Sequence, residues 1–158
     1  MKQLLVSLAM LAGLAAPLTA SPALANTVTA TPAAILAAMR ADGLQAQQET
    51  DDYGAPMLVS QLNGTHFSVY FYGCKSGAQC QNIQFSTGYD LDRPLDARRI
   101  NDWNRDNRFG RAYLDDDGDP FIEMDINMAG NGVTQQNFST SLGLWQTVTR
   151  DFEHFIGW

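Results

Sequence analysis

The sequence predicts an α+β fold, an antiparallel sheet flanked by helices in the order α-βββ(β)-α-ββ-α. Three observations lead there. Apolar residues at helical spacing stand at both ends of the globular part: Ile35, Leu36 and Met39 near its start, and Phe138, Leu142, Trp145, Val148, Phe152 and Phe155 at its end. Between them, short segments alternate apolar and polar residues with the period of two that turns one strand face to a core and the other to water. Asn63-Gly64 joins two such segments, and this dipeptide favours the tight turn of a hairpin, so its strands are antiparallel neighbours.

Each element has a local cause. Thr31 offers a capping hydroxyl and Pro32 a pre-set φ, so the first helix opens there, and Gly43 ends it. Strands are expected over 44–50, 57–62 and 66–72, with "DDYGAP" and "NGT" as the turns. In the third strand Phe67, Val69 and Phe71 face the core, while His66, Ser68, Tyr70 and Tyr72 stand on the wetter face. Residues 81–87 form another strand, with Ile83 and Phe85 inward. A second helix starts with Asp92 as cap and Pro94 in its first turn; Ala97, Ile100 and Trp103 or Asn104 make its buried stripe, and Gly110 stops it. Its arginines interleave with Asp96, Asp102 and Asp106, the pattern of a solvated face laced with ion pairs. The last hairpin pairs 111–114 with 121–128, placing Ile122, Met124, Ile126 and Met128 inward and Glu123, Asp125 and Asn127 outward. Thr134 then begins the long final helix.

The chain opens with Lys2, an apolar run over 4–16 and an A-x-A site at Ala23-Leu24-Ala25, the three parts of a secretory signal peptide cleaved after Ala25. The apolar run is shorter than the roughly 18–20 residues a bilayer span requires. No second such run follows, so no membrane span is expected in the mature chain, and the expected location is periplasmic or secreted. Residues 26–30 are expected to be disordered and 31–158 to form a single domain. Without the leader the chain keeps nine basic against 17 acidic residues, a net charge of −8. A surface of that sign disfavours nucleic acid and anionic membranes and favours cationic partners.

Cys74 and Cys80 are the only cysteines, an even pair in an exported chain, and read as a structural disulfide pinning a hairpin. The acidic "LDDDGDP" fails the EF-hand pattern: with Gly118 at position 6, positions 1 and 12 are Tyr113 and Met124. It reads as a hairpin turn in which Gly118 supplies a positive φ. Neither a metal site nor a cofactor site is expected. No nucleophile, zinc or phosphate-loop motif occurs, and the one arrangement open to a hydrolase reading is Glu123 and Asp125 with His66. Strand alternation alone accounts for those carboxylates, so no catalytic residues are expected.

The stretch from Ile100 to Thr134 resembles the YbjN-domain family, described as bacterial sensory transduction regulators. The residues that carry the likeness are Asn104, Phe109, the acidic turn Asp115 to Asp119, the strand Phe121 to Met128 and Gly132-Val133. The resemblance extends over roughly 31–155 and implies a fold like that of type III secretion chaperones. It brings no catalytic residues and no cofactor. The leader and the cysteine pair depart from the cytoplasmic members of that family.

What the resemblance implies is binding: a protein partner held on the sheet, or a second copy in a homodimer. Tyr70, Tyr72 and Tyr113 are the candidate interface residues, since aromatics with a polar tip on an exposed face are common interface material. A small-ligand or envelope-stress sensor with a cavity beneath those rings is the alternative, and the acidic balance suits a cationic ligand.

Overall fold

A computed structural model of the chain describes residues 27–75 and 79–158. The leader predicted over 1–25 lies outside the described residues. The main body is an antiparallel six-stranded sheet, built from β2 (Gln47–Thr50), β3 (Pro56–Leu62), β4 (Thr65–Tyr72), β5 (Asn82–Gly88), β6 (Arg111–Leu114) and β7 (Pro120–Asn127) in the order β2-β3-β4-β5-β7-β6. Helix α1 (Pro32–Ala41) starts where Thr31 Oγ1 accepts from the Ala34 amide at 3.3 Å. Helix α3 (Gln135–Ile156) is capped by Thr134, which accepts from the Asn137 amide at 3.1 Å, and closes on Gly157 in the left-handed region.

The α3 stripe packs on the inward face of the sheet. Trp145 lies against Phe85 and Phe67 at ring separations of 5.8 and 6.2 Å, and Phe138 meets Phe85 at 6.4 Å. Ile35 and Met39 of α1, Leu58 of β3, Ile83 of β5 and Ile122 of β7 are fully buried in the same core. Helix α2 (Ala97–Asp106) closes the β6 side, its Trp103 edge-on to Phe152 at 4.9 Å.

Three elements differ from the sequence reading. Residues 27–30, expected to be disordered, contain strand β1 (Thr27–Val28), which pairs with β8 (Val133–Thr134) in a small second sheet. Burial of Val28 and Ala30 holds this segment, and Gly132 permits it: a Cβ there would fall 2.1 Å from the Val28 carbonyl oxygen. The observed order is therefore β-α-ββββ-α-βββ-α.

Helix α2 begins five residues after the expected cap. Asp96, not Asp92, accepts from the Arg98 amide at 2.8 Å, and Ala97 is exposed while Ile100 and Trp103 are buried. Residues 91–95 are held by the acidic turn instead, Leu91 N donating to Asp119 Oδ1 at 3.0 Å and Leu95 N to the Gly118 carbonyl at 3.2 Å. The helix ends at Asp106, before Gly110, whose Cβ would meet Val148 Cγ1 at 2.5 Å. Strand β2 starts at Gln47 rather than Leu44, because the carbonyls just before it accept from side chains: Gln45 O from Ser60 Oγ at 3.0 Å and Ala46 O from Arg40 at 2.9 Å.

Candidate functional site

With α3 on one face, alternation leaves the opposite face of the sheet to polar and aromatic residues. Register aligns one row across all six strands: Gln47, Val59, Ser68, Ser86, Glu123 and Arg111. Beside it run the rows Tyr70, Gln84, Asp125 and Gly88, Phe121, Tyr113. Among the described residues this surface carries a depression and a cleft. A broad depression of about 1050 Å³ includes Gln47, Gln61, His66 and Ser68 in its lining. A tighter cleft of about 340 Å³ is lined by Asp51, Asp52, Tyr53, Tyr72, Gln84, Tyr113 and Glu123, among others. Tyr70, Ser86 and Phe121 belong to both, so the two depressions are contiguous.

Hydrogen bonds fix the cleft walls. Tyr72 donates its hydroxyl to Gln84 Oε1 at 3.2 Å, and Gln84 Nε2 donates to Asp125 Oδ1 at 3.0 Å. Tyr113 donates to Glu123 Oε1 at 3.1 Å, while Arg111 pairs with the other oxygen of that carboxylate. The Arg111 guanidinium also stands over the Tyr113 ring at 5.4 Å, and Tyr113 stacks on Phe121 at 5.4 Å with 14° between planes. Burial, then the Glu123 charge and the bond to it, push the Tyr113 phenol up to about 12. Burial also raises Tyr72, followed by the charges of Glu123, Tyr70, Asp125 and Asp51. Both shifts report that new negative charge is disfavoured here.

The fold brings Tyr70, Tyr72 and Tyr113 together: all three line the tighter cleft, on the face away from α3. Tyr72 is 47% exposed and the other two are half-buried. Phe121, Gln84, Asp51, Asp52 and Arg111 complete the site and were not singled out from the sequence. For Phe121 the signal was available, since it lies two residues before Glu123 and shares its face. Asp51 and Asp52 arrive through the β2–β3 turn, a placement no local pattern encodes.

The residues of the hydrolase reading are divided. Glu123 and Asp125 share the open face of β7, each already hydrogen-bonded, whereas His66 on β4 lines the broad depression and not the cleft. The acidic turn is organised around its first residue: Asp115 Oδ1 accepts from the amides of Asp117 and Asp119 at 3.0 and 2.9 Å, and Gly118 has φ +87°. Among the described residues no group of three or more His, Cys, Asp or Glu side chains is placed to hold a metal ion. Cys74 and Cys80 form a disulfide across the β4–β5 connection, and the Cys80 amide donates to Ala30 O at 3.0 Å, tying this loop to the segment before α1.

A family model described as "Putative bacterial sensory transduction regulator", YbjN, matches residues 31–158. The chain belongs to the YbjN family. Comparison with curated proteins and with solved structures gave no significant match. Within this YbjN domain, residues that carried the resemblance have definable structural work. Asn104 brackets Ala112 at the edge of the sheet, its Nδ2 donating to the carbonyl at 3.0 Å and its Oδ1 accepting from the amide at 2.9 Å. Gly132 admits β1, and Asp119 holds the approach to α2. Among the described residues no helix is long and apolar enough to cross a membrane.

Proposed function

We propose that this YbjN protein is an exported, non-catalytic regulator that works by holding a segment of another protein against the helix-free face of its sheet. The observation that carries the reading is the concave face itself, with Tyr70, Tyr72 and Tyr113 gathered in one cleft rather than scattered. Rigid aromatic rings with polar tips contribute contact area at low entropic cost, and the hydroxyls of Tyr72 and Tyr113 are already oriented by Gln84 and Glu123. Export is supported by the leader pattern over 1–25 and by the Cys74–Cys80 disulfide, a bond that persists in oxidising compartments.

The test is a photo-crosslinking amino acid placed at Tyr70 and, separately, at Arg98 on the exposed side of α2, in intact cells fractionated after irradiation. Adducts from the Tyr70 position alone, in the periplasmic or secreted fraction, are the expected outcome; a second copy of the chain would appear as a self-adduct. Equal adducts from both positions, or none from Tyr70, refute the use of this face. The 340 Å³ cleft also favours a second reading, a small-ligand sensor, because its volume suits a compact molecule. Thermal shifts against a metabolite panel test that reading.

A further inference from the structure

We infer that the tighter cleft recognises a cationic side chain, an arginine carried on an extended basic segment of the partner whose backbone lies in the neighbouring depression. This rests on the protein-binding reading of the open face. Three observations carry it. The cleft is lined by the aromatic residues Tyr70 and Tyr72, whose rings can attract cations, beside a Tyr113 ring that already carries Arg111 and stacks on Phe121. Its carboxylates, Asp51, Asp52 and Glu123, with Asp125 behind Gln84, outnumber the single guanidinium of Arg111, which pairs with Glu123, so the local charge is complementary to a cation, as is the chain's net charge of −7. Arg111 itself shows the chemistry in miniature: beside this cleft one guanidinium is already held by a carboxylate and a ring, pairing with Glu123 while lying over Tyr113.

The shape argues for a side chain on a segment rather than a free amine. Through Tyr70, Ser86 and Phe121 the cleft opens into the larger depression, where Gln47, Gln61 and Ser68 offer donors and acceptors to a passing backbone.

The test uses the disulfide-bonded domain, isotope-labelled for NMR and titrated with a capped hexa-arginine peptide, its neutral hexa-citrulline counterpart and methylguanidinium. Hexa-arginine is expected to move the amide signals of Tyr70, Tyr72 and Phe121 and to bind about tenfold tighter than hexa-citrulline. Asp52→Asn/Asp125→Asn, which keeps an acceptor for Gln84, and Tyr70→Leu are each expected to weaken hexa-arginine by several-fold while leaving the spectrum folded. Equal binding of hexa-citrulline, shifts that map to α2 instead of the cleft, insensitivity to both variants, or no binding at all each overturn the inference. Methylguanidinium binding as tightly as the peptide overturns the extended segment. Crosslinks from Tyr70 in cells together with a failed arginine titration would leave the protein-binding reading standing and remove this one alone.

Discussion

The ring of Phe121 occupies the space where a side chain at Gly88 would stand. A Cβ on Gly88 would fall 2.5 Å from Phe121 Cε1 and 2.6 Å from Cζ, so the absence of a side chain on β5 allows the ring to lie down beside Tyr113. Gly88→Ala is therefore expected to lift Phe121 off its stack with Tyr113 and cost about 1–3 kcal/mol. Chemical denaturation reads the loss. An unchanged midpoint would mean the ring relaxes without cost.

Asn104 supplies both halves of a missing strand to the edge residue Ala112. Asn104→Ala leaves that amide and carbonyl to water or to nothing, at an expected cost of about 1–3 kcal/mol. Asn104→Asp retains the acceptor but not the donor, so its loss should be intermediate. Thermal denaturation of the three proteins in parallel distinguishes these outcomes.

Alkaline pH should destabilise the domain through its tyrosines. The folded-state phenol of Tyr113 sits at about 12, above the ordinary value of 10.0, and Tyr72 and Tyr89 are raised as well. A group raised in this way binds its proton longer in the native state than in the unfolded chain, so its contribution is complete below the unfolded value and is lost as pH rises from there through the folded value. Stability should thus decline between pH 10 and about 12, and Tyr113→Phe should flatten the decline. Denaturation midpoints across that range, with tyrosinate absorbance recorded alongside, test the assignment.

Reduction of Cys74–Cys80 should loosen the domain without unfolding it. The bond closes a short loop, worth about 2 kcal/mol by chain entropy, and Cys80 also holds the Ala30 carbonyl before α1. The Cys74→Ser/Cys80→Ser variant is expected to melt several degrees lower. Faster amide exchange should appear at Val28 and Ala30 as well as in the loop; exchange confined to the loop would show that the tie to β1 carries no stability.

The resolution between local and tertiary causes is plain in particular residues. The threonine caps at Thr31 and Thr134, the Asn63-Gly64 hairpin, the inward Phe67, Val69, Ile83 and Phe85, and the disulfide are readable from sequence, because each depends on neighbours a few positions away or on a strict periodicity. The start of α2 is ambiguous in the sequence because Asp92 and Asp96 both suit a cap, and only the distant turn at Gly118–Asp119, by binding Leu91 and Leu95, decides between them. Strand β1 has no sequence signature because two residues show no period; its partner is a segment more than a hundred positions away. The candidate site lies on the same divide. Alternation determined that Tyr70, Tyr72, Tyr113 and Glu123 face outward. That they share one cleft with Asp51, Asp52 and Phe121 was decided by the strand order β2-β3-β4-β5-β7-β6, because lateral proximity in a sheet follows from hydrogen-bond pairing between strands remote in the chain.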